Sequence, residues 1–164
     1  MEISLDQLRA VLKSLSGPEE QLEPPTVVLQ VVASLVGNSA IHSALSIKAQ
    51  SRADNGDPVT TWRYVALTDV GLVTASLANV IPDWELDGSN RQDPRPTIDA
   101  RLIPLREVTY CRVMGVEPRS TEEWTASWEI GIRDLEPLHL PTSRNHPDKA
   151  AASNLGRAIA DRLR

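Results

Sequence analysis

The chain has 164 residues, 41% of them hydrophobic and 24% charged, and a formal charge of −5. That is enough apolar content for one ordinary core and too much for a disordered chain. The negative balance argues against a general binder of nucleic acid or anionic membrane, because both surfaces are themselves negative.

Phenylalanine is absent, so the four tryptophans carry much of the aromatic packing. Cys111 is the single cysteine, which excludes an intrachain disulfide and a cysteine zinc cluster. Met1-Glu2-Ile3-Ser4 lacks the basic region and apolar core of a secretion signal. The longest apolar-rich stretch, Val27 to Val36, is about half of what a bilayer crossing needs. The expectation is a cytoplasmic protein.

Ile3, Leu5, Leu8, Val11, Leu12 and Leu15 recur at spacings of three and four, one face of a helix over roughly residues 5–15. Ser4 and Gln7 fit a capping box, and Gly17-Pro18 stops the helix. After an acidic connector, Thr26 to Val36 is too continuously apolar for a half-exposed strand. Pro24-Pro25 before it and Gly37-Asn38 after it suit a helix, whereas its β-branched content suits a strand. The reading favours a buried helix. Residues 1–37 then form an N-terminal helical segment ahead of a domain over 38–164.

From about residue 41 the period changes to two. Leu45, Ile47 and Ala49 alternate with polar residues, and Asp54-Asn55-Gly56-Asp57-Pro58 is a strong turn. Thr61 to Leu67 is the next strand, and Thr68-Asp69-Val70-Gly71 turns it into Leu72–Leu77. Residues 81 to about 100 carry many breakers and no period, and are expected as a long loop. Leu102 to Val113 resumes strand character, with Pro104 confining its start to an edge or bulge. Trp124, Ala126, Trp128, Ile130 and Ile132 alternate strictly with polar or small residues. Asp134 to Pro137 turns the chain into the short strand Leu138–Leu140. A final helix, capped by Asp148, carries the stripe Ala152, Leu155, Ile159 and Leu163; Gly156 weakens it yet permits close packing on a sheet. The fold class is therefore α+β: N-terminal helices, an antiparallel meander sheet or small barrel, and a C-terminal amphipathic helix.

No catalytic constellation is evident. His42, His139 and His146 are dispersed, and no phosphate-binding glycine loop or serine-nucleophile elbow occurs. Cys111 reads as a packing residue, and Asp83, Glu85, Asp87 and Asp93 lack the regular ligand spacing of a calcium loop. Arg91, Arg95, Arg101, Arg106 and Arg112 suggest an anion site, but Asp93, Asp99 and Glu107 are interleaved with them. The candidate binding residues are Trp84, an aromatic on the long connection suited to anchor a partner or tether the loop to the core, with Arg91 and Arg95 beyond it.

Two phrases carry a resemblance. Tyr64-Val65-Ala66-Leu67-Thr68-Asp69-Val70-Gly71-Leu72-Val73 is similar to the second hairpin of bacterial pleckstrin-homology-like domains, and Ile103-Pro104-Leu105-Arg106-Glu107-Val108 resembles the next strand of that family. The order of the later strands and the terminal helix agrees over about residues 41–164, while the long 81–100 connection departs from the compact family pattern. The resemblance implies a PH-like barrel serving as a scaffold for binding rather than for catalysis.

The expected function is a non-enzymatic interaction module that binds a protein partner or self-assembles through its N-terminal helices. The alternative is a small-ligand or lipid-binding domain with an apolar pocket near the 81–100 loop. No cofactor, metal or nucleic acid is expected, and membrane binding is disfavoured.

Overall fold

The computed structural model describes residues 9–11, 13, 24–81, 84, 95–118, 124–140 and 149–164. The helix expected over 5–15 therefore lies outside the described residues except at Arg9, Ala10, Val11 and Lys13. The proposed cap Asp148 also lies outside them.

Thr26–Val36 is a helix, α1. Its exposed residues explain why: Thr26, Gln30 and Ser34 fall four apart and make one polar stripe, while Val28, Val32, Ala33 and Val36 are buried. The amides of Val28 and Leu29 donate to the Pro25 carbonyl, and Gly37, at φ 57°, returns its amide to Ala33 at 3.0 Å.

Four strands follow: β1 (Ile41–Arg52), β2 (Pro58–Thr68), β3 (Gly71–Asn79) and β4 (Thr97–Pro104). They form one antiparallel sheet in chain order. At the β1–β2 turn the Ala53 amide donates to Asp57 O and the Asp57 amide to the Asn55 side chain. Only Gly56 there takes a positive φ, so the turn is wider than a two-residue hairpin. A single-turn 3-10 segment, Leu105–Glu107, leads to β5 (Val108–Pro118), β6 (Trp124–Ile132) and β7 (Leu138–Leu140), a second antiparallel sheet. The last element is α2 (Lys149–Arg162).

Two expectations need correction. The single strand read over Leu102–Val113 is the end of β4, a corner and the start of β5, in two different sheets. Pro104 ends the ladder, and the 3-10 turn carries the chain across. The loop expected to reach residue 100 gives way to β4 at Thr97. As an edge strand β4 buries only Ile103 and leaves Ile98 and Leu102 exposed, so it has no apolar alternation to read.

Two apolar layers result. Between the sheets, Leu45, Val65, Leu67, Leu72 and Ile103 meet Ala126, Trp128, Ile130, Ile132 and Leu140, with Ala152, Leu155 and Ile159 of α2 closing one side. Leu163 lies past the helix end and is 37% exposed, so the stripe stops at Ile159. On the outer face of the first sheet, Trp62, Tyr64, Ala66, Val73, Ala75 and Leu77 pack beneath α1, Val11 and Trp84. The apolar face of α1 is thus taken up within the chain. Each valine fully buried there contributes about 1.5 kcal/mol or more.

The end of α2 is tied to the β2–β3 turn. His42 donates to Asp69 at 2.5 Å, and the Ala40 amide donates to the same carboxylate. The bond from His42, then that from Ala40, holds the Asp69 carboxyl below its ordinary range. An ionised Asp69 requires the proton on His42 Nε2. The Arg162 guanidinium, 3.0 Å from that nitrogen, therefore adds electrostatic attraction to the carboxylate rather than a bond to the ring.

Candidate functional site: a groove between unequal sheets

Strand register arranges the inner face of the first sheet in three cross-strand rows. One is Leu67–Leu72–Ile103, wholly apolar and buried. The next is Leu45–Val65–Thr74–Arg101, and the third Ile47–Arg63–Ser76–Asp99. The face therefore grades from apolar to polar along the strands, because residues two apart on each strand share a side.

The second sheet covers only the apolar end. It has three strands, and β7 is three residues long. Beyond it lies an open groove of about 970 Å³, lined on one side by the two mixed rows and on the other by Ile132 and the Asp134–Leu140 run. Its accessible apolar lining is Ile47, Leu135 and Leu138; Leu45, Val65, Ile103 and Leu140 border it from the packed core.

The two walls differ in charge. Arg101 and Asp99 close on each other through Nε–Oδ1 at 3.0 Å and Nη2–Oδ2 at 3.2 Å. Arg63 has no ion-pair partner among the described residues, so this wall carries one uncompensated cation. The opposite wall carries Asp134 and Glu136 on the β6–β7 turn. Asp134 sits at φ 57°, a backbone state that Asp tolerates better than most residues.

On the outer face of the second sheet, Glu129 is 5% exposed and collects three partners. The Tyr110 hydroxyl donates to it at 2.8 Å, Arg112 lies at 2.6 Å and His139 Nδ1 at 3.7 Å. The Tyr110 bond, with the nearby cations, holds the Glu129 carboxyl below its ordinary range and pushes the Tyr110 phenol up. The Tyr110 ring lies over Gly131, where any side chain would collide with it, and Arg112 stacks 5.6 Å from the ring centroid. This is a closed structural network with its bonds already made. Burial pushes the Cys111 thiol up, away from nucleophilic use, and its Sγ contacts the Gly156 carbonyl at 3.6 Å.

The sequence candidates do not converge on the groove. Trp84 is 6% exposed and lies on the outer face of the first sheet, the side opposite the groove. Its carbonyl accepts from Trp62 Nε1 at 2.8 Å, and its amide donates to Thr60 Oγ1. Arg95 is exposed and is not among the groove-lining residues; Arg91 lies outside the described residues. Arg101, named among the five arginines, does line the groove. Arg63 lines the groove and is not among the sequence candidates. The available signal was a charged residue on the inward side of a strand whose neighbours Val65 and Leu67 are core.

Among the described residues no three His, Cys, Asp or Glu side chains are placed to hold a metal ion, and no helix is long and apolar enough to cross a membrane. Fold and site together define an antiparallel two-sheet α+β domain with an amphipathic groove. No family model, curated protein or solved structure matches the chain.

Proposed function

We propose that the protein is a non-enzymatic interaction module, built on a PH-like sandwich, that holds a segment of a partner protein in the groove between its sheets. The groove itself carries this reading: an open space of about 970 Å³ with apolar side chains at Ile47, Leu135 and Leu138 and walls of opposite charge. Such a surface offers burial for affinity and fixed charges for register. The PH-like reading draws support from the four-plus-three antiparallel strands, and from a terminal helix that packs on β6 and β1. It agrees with the phrases at Tyr64–Val73 and Ile103–Val108. Because α1 buries its apolar side on the first sheet, the proposal seats the partner in the groove rather than on the N-terminal helices.

A second reading places a small amphiphile in the same groove, since the volume lies at the upper end of the range for ligand pockets. Photo-crosslinking distinguishes the two. A photoreactive residue at Ser76, within the groove, is expected to give a protein-sized adduct in cells. The same group at Thr26, on the exposed stripe of α1, is expected to give none. A small mass increase at position 76 supports the amphiphile, and an adduct at position 26 alone returns the interface to the N-terminal helix.

A further inference from the structure

The two facing sheets are unequal: four strands stand against three, and the outermost of the three is the shortest strand in the chain among the described residues. The groove occupies the space beside β7, where a fourth strand of the second sheet would lie, and its wall runs without a break through Pro137, Leu138, His139 and Leu140. As the terminal strand of its sheet, β7 has its ladder partner, β6, on one side only. Its other backbone edge is therefore oriented for a further strand, which would run about 4.8 Å away.

We propose that the partner segment enters as that fourth strand. It is an extended peptide, hydrogen-bonded along the free edge of β7, with side chains of alternating character. This inference rests on the groove being the partner site and names what fills it. The side chains facing the first sheet meet the half-buried Ile47 and the uncompensated guanidinium of Arg63, so the segment places an apolar and an acidic residue on that face. The Asp134 and Glu136 end repels further acid, so a basic residue belongs there. The β7 edge spans roughly 10 Å, which a segment of five to seven residues covers with overhang. Main-chain bonds supply affinity in such an arrangement, and the alternate side chains supply specificity.

The test uses the full chain and a randomised heptapeptide display library, followed by synthesis of one enriched peptide and of the same peptide N-methylated on alternate amides. Enriched sequences are expected to alternate apolar residues with one acid, and to carry a base towards one end. The Leu138–Leu140 amides are expected to slow in hydrogen exchange when the peptide binds. N-methylation is expected to abolish binding, and Arg63→Glu, at an exposed position, to weaken it about tenfold or more and shift preference to a lysine-bearing peptide. Arg63→Gln, with an intermediate loss, guards against a folding defect in the reversal. No enrichment, or equal binding of the N-methylated peptide, overturns the strand. A protein adduct at Ser76 alongside such a result leaves the groove as the partner site, whereas loss of both removes the site as well.

Discussion

Trp128 of β6 packs against Gly156 of α2 so closely that a methyl group on Gly156 would overlap the indole ring. The indole nitrogen is buried with no hydrogen-bond partner among the described residues, so shape alone seats the ring. Gly156→Ala gains about 1 kcal/mol of helix propensity but sets a methyl inside contact distance of three indole atoms of a full core, an overpacking that costs about 3 kcal/mol. The expected net loss of about 2 kcal/mol lowers the melting temperature by about 4–8 °C for a chain of this size. Trp128→Leu in the Gly156→Ala background is expected to remove the part of the loss that comes from the clash. Gly115→Ala, where the added methyl meets only the Ser127 hydroxyl at 3.1 Å, is the matched control and is expected to change little. A melting temperature unchanged in Gly156→Ala would show that α2 does not sit this close to β6.

Glu129 makes the fold less stable in acid. Its folded-state carboxyl lies below the ordinary range, so its contribution is fully present above the unfolded value of about 4.3 and is lost as pH falls through the folded value. Asp69, lowered by His42 and Ala40, acts in the same direction. Denaturant unfolding from pH 7 to 3 is expected to show stability falling in that window, with a shallower fall in Glu129→Gln. Tyr110→Phe is expected to move the Glu129 titration upward, readable from its side-chain carbon shift. A titration unmoved by that change would show that the hydroxyl is not the leading cause.

Trp84 is an anchor of the long connection to the core. Its bonds to Trp62 and Thr60, together with the Thr60 hydroxyl bond to Ile81 O at 2.7 Å, fasten the chain after β3 to the outer face of the first sheet. Trp84→Ala is expected to cost about 3 kcal/mol or more of stability, as for other buried aromatics, without changing affinity at the groove. Loss of binding with stability intact would instead restore Trp84 as a contact residue.

Removal of residues 1–37 strips α1 and Val11 from the layer of Trp62, Tyr64, Ala66, Val73, Ala75 and Leu77 and leaves only Trp84 and Ile81 packed on it among the described residues. An exposed sheet face of that size is an association surface. A chain beginning at Asn38 is expected to unfold or self-associate in light scattering, while the full chain keeps that face covered. A folded, monomeric short form would make the boundary at residue 37 a true domain limit.

Much of the second half of the fold is legible in the residues, and the reason differs by element. The β6 alternation from Trp124 to Ile132 is readable because one face of the strand is continuously apolar. The Asn55-Gly56 and Thr68–Gly71 turns are readable because few other residues accept their backbone. The polar stripe Thr26, Gln30 and Ser34 would have decided helix over strand for α1, and it is visible only when three spaced polar positions are read together. β4 could not be read: an edge strand with both faces near solvent has no periodic signal. The groove is still harder, since Ile47, Arg63, Ser76 and Asp99 come from four strands and meet only through register. Of the two roles expected for Trp84, its contacts fit the tether and not an anchor in the groove, and nothing local encodes which face a connection crosses.

The double covering of the first sheet has a consequence for β2. Trp62 and Tyr64 are wedged beneath α1, and Arg63 between them points into the groove. Slippage of this strand by one residue would drive a guanidinium into the helix-packed layer and turn an indole out into the open space. Neither error is tolerable, so the strand tolerates one alignment only. The helix on the far side of the sheet thereby acts as a ratchet pawl for a charge it never touches.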